Sequence, residues 1–463
     1  MTLAPVMIFK IAKDLCVMDK RFVWPVLLVA IASFSQSVHA ETLHEAVQYT
    51  LQTNPQVRAI QHNRLARTQE VEQAKGGYFP KLDFSAGIGR NEIFSPTEYE
   101  AITDPREVKF SLRQNIFNGF ITANEVNRQQ ERVNSALFQI HGTSESVALR
   151  VSEVYLDVLR HNEIHNLATE NLQIHEQIFD QVKLRSESGL DEKANFDQVS
   201  GRLALAQSST IITEINVIDA RTNYQAVVDR FPQDLLAPVN LTTSLPETLE
   251  EAQAKAVENH PVLKSAEADL AARKAQYRVA QGAYSPVIDL EVDKTWDDEV
   301  DVDDWQSEIE AMVRIRFNFM NGGKDQARIK ETLHLVCEAR AIRDNTYRQV
   351  VESIRLSWMA YQSAQKKISL LEKYVESTGA TAEAYRKQWN IGKRTMLDVL
   401  DTKAEYINAK KDLTHTVYDS IYAQCRILNG IGKLVHSLGL EWPDDSNQKK
   451  DLANMSESVK DNG

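Results

Sequence analysis

The sequence is short of the features that mark most other protein classes. Three cysteines in 463 residues cannot build a disulfide scaffold. Beyond the N-terminal region there is no run of ~20 apolar residues, so no helix is expected to cross a membrane. Positive charge is also in deficit. The formal net charge of −12 makes nucleic-acid phosphates an unsuitable partner. Catalytic motifs are missing as well. There is no P-loop and no G-x-S-x-G, and Gly87-Ile88-Gly89 lacks the third glycine and the strand-to-helix setting of a dinucleotide loop. No catalytic residue, cofactor or metal is expected. His161 and His165 stand four apart, with His175 ten residues on. Lacking an H-E-x-x-H pattern, they read as a solvated helix face.

What is present begins with a secretory leader. From Met18, Lys20 and Arg21 supply a positive start, residues 22–33 a short apolar stretch, and Val38-His39-Ala40 a small-x-small cleavage site. The first 17 residues read as an upstream extension. Cys16 lacks a lipidation box, so the mature chain is expected to start at Glu41 without a lipid anchor. Cleavage removes four basic and two acidic residues and takes the net charge to −14. A mature chain that enters a membrane must then do so with β-strands.

The chain repeats itself. Thr42-Leu43-His44-Glu45-Ala46 returns as Thr248-Leu249-Glu250-Glu251-Ala252, and Asn54-Pro55 returns as His260-Pro261. Ala74–Pro80 returns as Ala280–Pro286, and Ile116-Phe117-Asn118-Gly119 as Phe319-Met320-Asn321-Gly322. Three of these matches share an offset of 206 and the fourth has 203, which indicates an internal duplication. The expected units are a leader (1–40), a first repeat (41–230), a proline-bearing linker (231–247), a second repeat (248–440) and a polar, disordered tail (441–463).

Each repeat reads as helix, two strands, very long helix, turn, helix. No proline lies between Arg106 and Phe231 or between Val287 and Trp442. Ile121–Ser188 and Lys324–Ile391 are rich in helix formers, and each could run ~100 Å as one helix. Val151, Val154 and Val158, and Leu397, Leu400, Ala404 and Ile407, give a seam of coiled-coil type. A soluble coiled-coil rod would have the same helices, but the strands argue against it. Leu82–Arg90, Val108–Phe117, Val287–Trp296 and Glu308–Phe319 alternate apolar with polar or charged residues. Each has the length of a transmembrane β-strand. One face suits lipid and the other a watery lumen. Four strands cannot close a barrel, and open edges are not tolerated in lipid, so the chain must oligomerise. Two chains would supply eight strands and three twelve. Between the strands, Asn91–Glu107 and the acidic Asp297–Gln306 read as polar tip loops, the latter without the glycine turn of an EF-hand.

Residues 389–401, Trp-Asn-Ile-Gly-Lys-Arg-Thr-Met-Leu-Asp-Val-Leu-Asp, resemble the second periplasmic helix turn of the TolC family of outer-membrane export channels. The strand-exit Asn-Gly pairs and the Asn54-Pro55 helix start are similar to that family too. The resemblance implies a homotrimer, mainly α with a membrane β part. Four strands per chain would join a shared twelve-strand barrel in outer-membrane lipid, and long antiparallel helices would form a tunnel into the periplasm. It also implies a passive duct working with a periplasmic adaptor (membrane fusion protein) and an inner-membrane ABC transporter. Gly76-Gly77-Tyr78, Arg113–Phe117 and Arg202–Ala206 resemble the branch that exports large adhesins by type I secretion, with an exported protein as substrate. Multidrug or small-molecule efflux is the alternative, and a periplasmic coiled-coil tether is the alternative of another class.

Gly189 and Gly392 mark the two periplasmic turns. Asp398 and Asp401, three apart at a helix start, point to one side and suit the positive end of the helix dipole. In a trimer they would ring a narrow mouth with six carboxylates, or they could only cap their helix. By resemblance Arg394 and Trp389 hold that mouth shut. The family usually has tyrosine at the place of Trp389, and an indole N–H donates a hydrogen bond but cannot accept one. Asp197 is the first-repeat counterpart, although Gly189 to Asp197 is two residues longer than Gly392 to Asp398. About Gly392, Cys337 lies 55 residues before and Cys425 33 after. That is a mismatch of ~33 Å of helix, so no bridge between them is expected.

Overall fold

The computed structural model describes residues 40–93, 101–188, 193–237, 244–298 and 306–443. The leader, Gly189, the acidic residues Glu299, Asp301, Asp303 and Asp304, and the tail from 444 lie outside the described residues.

Each repeat opens with the same pair of helices. α1 (Leu43–Thr53) and α2 (Pro55–Lys75) have 11 and 21 residues. Thr42 caps α1 in a reciprocal box with Glu45. The Asn54 side chain then accepts from the amides of Gln56 and Val57, with Pro55 in the first helical position, where its missing N–H costs nothing. In the second repeat α5 (Leu249–Asn259) and α6 (Pro261–Gln281) reproduce those lengths. The long helices α3 (Ile121–Glu187) and α7 (Lys324–Asn390) both have 67 residues. Each is followed by a shorter partner, α4 (Lys193–Val228) and α8 (Met396–Gly430), and a short α9 (Leu434–Ser437) follows α8.

Between α2 and α3 run β1 (Lys81–Ile88), β2 (Asn91–Ile93), β3 (Ala101–Thr103) and β4 (Arg106–Phe117). Between α6 and α7 run β5 (Val287–Asp298) and β6 (Gln306–Arg316). β1, β4, β5 and β6 form one antiparallel sheet in that order, and β2 pairs with β3. The expected first loop is therefore partly a ribbon, with Asn91 opposite Thr103 and Ile93 opposite Ala101. The last strand ends at Arg316 rather than Phe319, because Arg316 already faces Val287, the first residue of β5. Each strand runs into its helix, so the helices pack in matching order: α2 on α3, α3 on α6, α6 on α7. Farther from the sheet α4, α3, α8 and α7 are neighbours instead.

Register sorts the sheet into two faces, since direct antiparallel partners point the same way. Leu82, Leu112, Val292 and Ala311 share one row, and Phe84 stands beside Phe110. The rings of Phe84 and Phe110 are 4.9 Å apart, and Phe110 meets Trp296 at 5.9 Å. Phe84, Ile88, Ile309 and Val313 are exposed on this face. On the other, Glu291 takes Arg113 at 3.3 Å, Arg314 at 2.6 Å and Arg316 at 3.0 Å.

The main core sits where both repeats meet, midway along the long helices α3 and α7 and at the C-terminal ends of α4 and α8. Val151, Val154 and Val158 of α3 pack there with Val47 of α1, Tyr224 of α4, Ile354 of α7 and Leu428 of α8. Burial of each such aliphatic side chain stabilises the fold by about 1.5–3 kcal/mol. In the second seam Leu400 and Ile407 are buried. Leu397 is exposed, contrary to the seam expected, and Val399 is buried in its stead. Leu397 lies in the first turn of α8, where that helix has just left its turn. Cys425 is fully buried and Cys337 exposed, both as free thiols. Among the described residues, no helix is long and apolar enough to cross a membrane.

Candidate functional site

The far end of the helices carries the residues singled out in the sequence. α7 ends in a turn built on Gly392, whose φ of +72° suits glycine. The Gly392 amide donates to the Trp389 carbonyl and the Lys393 amide to that of Gln388, both at 2.9 Å. This reciprocal pair satisfies the last carbonyls of α7. Thr395 then starts α8. Its hydroxyl accepts from the Asp398 amide at 3.2 Å, while Asp398 Oδ2 accepts from the Thr395 hydroxyl at 2.8 Å and amide at 3.1 Å. These bonds favour the anion and hold the Asp398 carboxyl below the usual range. Asp398 thus closes a capping box, and its carboxylate is engaged within its own helix turn.

Asp401 is engaged differently. Its Oδ1 takes a hydrogen bond from Arg202 of α4 at 2.7 Å, which ties the tip of the second repeat to the first. Arg394 lies back along α7. Its guanidinium stands 4.2 Å from the centre of the Tyr385 ring, its Nε donates to Gln388 at 3.2 Å, and it comes within 4.0 Å of Asp398. Trp389 is half-buried in the wall of a cleft of about 490 Å³ between α3, α7 and α8, which Gln177, Arg386, Lys403 and Tyr406 also line. Asp197 is exposed near the start of α4. The structure therefore brings Arg394 to Asp398 and places Trp389 in the wall of the cleft. Asp401 pairs with a residue of the other repeat.

Three features of the tip were not singled out as site residues. Arg202 stood out as part of a longer similar stretch, not as the partner of Asp401. Lys403 and Lys410 of α8 both approach Glu170 of α3, at 3.9 and 3.8 Å, and flank the Tyr406 ring. Such cross-helix pairs depend on register between distant segments and leave no local trace. Gly379 did leave one, as an isolated glycine inside a helix. A Cβ there would stand 2.9 Å from the Tyr406 ring, so this glycine lets α7 and α8 approach closely. Ile178, Val182, Val199 and Leu400 fill the apolar interior of the tip.

The histidines do not form the solvated helix face expected of them: His175 is buried and His161 and His165 are half-buried, because neighbouring helices pack over this stretch of α3. His165 Nδ1 lies 3.1 Å from the Thr213 hydroxyl, and burial pushes the His161 and His175 imidazoles below their usual range. Among the described residues no group of three or more His, Cys, Asp or Glu could hold a metal ion.

Comparison with known proteins gives this geometry a context. The family model described as "Outer membrane efflux protein" matches residues 46–226 and 253–431, one block in each repeat. The outer membrane efflux protein BepC of Brucella suis is 22% identical, over 90% of this chain and 91% of that protein. The outer membrane protein TolC of Vibrio cholerae is 22% identical, over 88% and 94%. The alkaline protease secretion protein AprF of Pseudomonas aeruginosa is 20% identical, over 83% of each. Among solved structures, the Campylobacter jejuni CmeC outer membrane channel superposes with a TM-score of 0.77 at 14% identity, covering 88% of both chains.

Proposed function

As the chain belongs to the outer membrane efflux protein family and is an outer-membrane export channel, we propose that it works as a homotrimer. The observation that carries this reading is the sheet, which among the described residues has unpaired edges at β1 and β6, one charged face, and one mainly apolar face, on which Lys294 reaches the Ser307 hydroxyl and Arg106 stands opposite Asp298 at the tip end. Exposed backbone donors and acceptors on such edges are intolerable in lipid. Three copies would pair β6 of one to β1 of the next, with the apolar face toward lipid and the charged face lining a lumen. The exposed Leu205, Ile212, Ile215 and Ile218 of α4 recur at helical spacing and suit burial against a neighbouring copy. Light scattering of the detergent-purified protein is expected to give a trimer that dissociates only on heating in SDS. A monomer in mild detergent would sink the shared barrel.

In this reading the duct is opened from the periplasm by an adaptor and an inner-membrane ABC transporter, and its cargo is a large protein such as an adhesin. Supporting it are the three stretches similar to the adhesin-exporting branch. Gly77 sits where a Cβ would stand 3.0 Å from Thr122, at the junction of strand and helix. Arg113 belongs to the charged ladder, and Arg202 holds Asp401. The closed mouth would be formed by Asp398, Asp401, Arg394 and Trp389 from each copy, with Asp197 beside them and the turns at Gly189 and Gly392 as the tip. Deleting the gene is expected to remove one large protein from the culture medium and leave drug susceptibility unchanged. The converse result would assign the channel to efflux.

A further inference from the structure

The charged face of the sheet changes sign along its length. In the rows nearest the helices it carries Lys81, Arg113, Arg314 and Arg316 against Asp289 and Glu291. Both carboxylates are almost fully enclosed, at 3% and 9% exposure, by Arg113, Arg314, Arg316 and the Asn115 amide, which is 2.8 Å from Asp289. In the rows toward the strand tips the same face carries Asp83, Glu107, Asp293, Asp297, Glu308 and Glu310 against Lys109. Lys109 reaches Asp293 at 3.2 Å, and Lys81 reaches out to Asp83 at 3.0 Å. The remaining acids therefore outnumber the cations available to them. The two zones adjoin between rows 113 and 111 of β4, ~7 Å apart, while their far rows, 115 and 107, are ~26 Å apart along the strand. The Debye length at 0.1 M salt is ~10 Å, so the far parts of the two zones act on mobile ions separately.

We propose that this reversal makes the barrel an ion-selecting and rectifying element, with a cation-preferring outer stretch in series with an anion-preferring inner stretch. The inference rests on the reading that this face lines the lumen. Fixed charge of one sign concentrates counter-ions and repels co-ions. With the outer side positive, cations enter through the acidic zone and anions through the basic zone, so both accumulate at the boundary and conductance is high. With the outer side negative, both are drawn away from the boundary and conductance falls. The acidic exit also turns back anionic solutes approaching from outside the cell.

The test uses the full-length trimer in planar bilayers with Asp293→Asn, Glu308→Gln and Glu310→Gln combined. At about 0.1 M KCl the cation-over-anion permeability ratio is expected to fall severalfold and the rectification to vanish. At about 1 M, where the Debye length is ~3 Å, wild type and variant should converge. An unchanged ratio and unchanged rectification at low salt would overturn the proposal. Should the triple variant fail to assemble, Glu310→Cys on a Cys337→Ser background allows the charge to be changed after assembly. The remaining Cys425 is fully buried. A water-soluble anionic thiol reagent should then restore selectivity and a cationic one reverse it. No effect of either reagent, despite complete labelling, would refute the rectifier. If Glu310→Cys is not labelled by water-soluble reagents while Val313→Cys on the opposite face is, the lumen assignment itself fails.

Discussion

The two repeats keep the same skeleton and join it to the common core by different chemistry. In the first, Glu41 is an anchor. Its carboxylate accepts from Tyr224 at 2.7 Å and Arg230 at 2.5 Å, and its carbonyl lies 2.8 Å from the Tyr155 hydroxyl. Burial pushes both tyrosine hydroxyls well above their usual range. At the corresponding places of the second repeat stand Glu247, Ile427, Lys433 and Trp358. Ile427 and Trp358 are buried core, and the Glu247 amide instead meets Glu251, at 2.9 Å in an exposed position. A polar clasp in one half is thus an apolar contact in the other. The second half has its own polar fastening, a strap formed by α9 and Trp442. Glu145 of α3, only 2% exposed, accepts from the amides of Leu434 at 2.9 Å and Val435 at 3.3 Å, and from the Trp442 indole at 3.2 Å. Its counterpart by the repeat offset is the exposed Arg348. Duplication preserved lengths and corners, while the buried polar groups were free to diverge, because each needs only a complete set of partners.

Removing the strap's acceptor should have the largest effect. Glu145→Ala leaves two buried amides and an indole N–H without a partner, which is expected to cost about 3 kcal/mol in denaturant unfolding of the trimer. The pH dependence sharpens the point. Burial raises the Glu145 carboxyl from its ordinary 4.5 to about 7, against the lowering influence of its three donors. A raised folded-state value stabilises fully below the unfolded pKa and is lost as pH rises through the folded one. The contribution of Glu145 therefore disappears between pH 4.5 and 7. His141, stacked 3.9 Å from Trp442, is pushed down to about 4 by burial, with Arg64, His436 and Lys264 adding to it. Its contribution is present above the ordinary value of 6.5 and is lost as pH falls through 4. The two groups oppose each other across one indole. Glu145→Gln should leave a protein that loses stability on acidification more steeply than wild type. Equal slopes would mean that Glu145 is ionised throughout.

The clasp comparison is broken most directly by two matched substitutions. Glu41→Gln weakens charge-assisted hydrogen bonds in a buried setting and should cost about 2 kcal/mol. Glu247→Gln, at the equivalent place, should stay within ~0.5 kcal/mol. Equal effects would show that the first-repeat clasp is not the fastening it looks to be.

Strand-to-helix corners offer a smaller contrast. Gly119 has φ +66°, and a Cβ there would meet the Ser285 Cβ at 2.3 Å and the Gly282 carbonyl at 2.8 Å. Gly322 has φ +53° and open space around it. Gly322→Ala should cost about 1 kcal/mol from the left-handed backbone alone, and Gly119→Ala clearly more. Refolding yield and the unfolding midpoint report the difference.

Long elements were legible in the sequence because their signals are local. The absence of proline and the run of helix formers gave α3 and α7 to within one residue, and the two-residue alternation gave all four strands of the main sheet. The 206-residue offset relates α1 and α2 to α5 and α6 without a shift. What was not legible depends on register between segments far apart. The pairing of Arg202 with Asp401 spans two repeats, and Glu145 reaches nearly 300 residues to Trp442. No periodicity encodes either. Asp398 shows a further limit, since a carboxylate three residues into a helix has the same sequence signature whether it lines a mouth or caps its own turn.

The smallest expected effect on stability belongs to the tip, where the repeats touch through Arg202 and Asp401. The side chains are 28% and 58% exposed, and such a pair is worth about 0–1 kcal/mol. Asp401→Asn or Arg202→Ser should therefore leave the unfolding midpoint in place. The effect on function can be larger, because in a trimer the contact occurs three times. At about 0.5 kcal/mol each, three pairs bias a closed mouth by ~1.5 kcal/mol, or roughly tenfold in the ratio of closed to open states. Single-channel conductance of either variant should rise, and wild type should approach it at high salt, where the pairs are screened. Asp197, exposed at the start of α4 beside the proposed mouth, is the first-repeat comparison, and Asp197→Asn should raise conductance less than Asp401→Asn does. Arg394→Ser separates the two links of the tip, because Arg394 lies against Tyr385 and Gln388 of its own chain. If that variant opens the channel and Asp401→Asn does not, the latch lies between copies of the chain and not between the repeats of one.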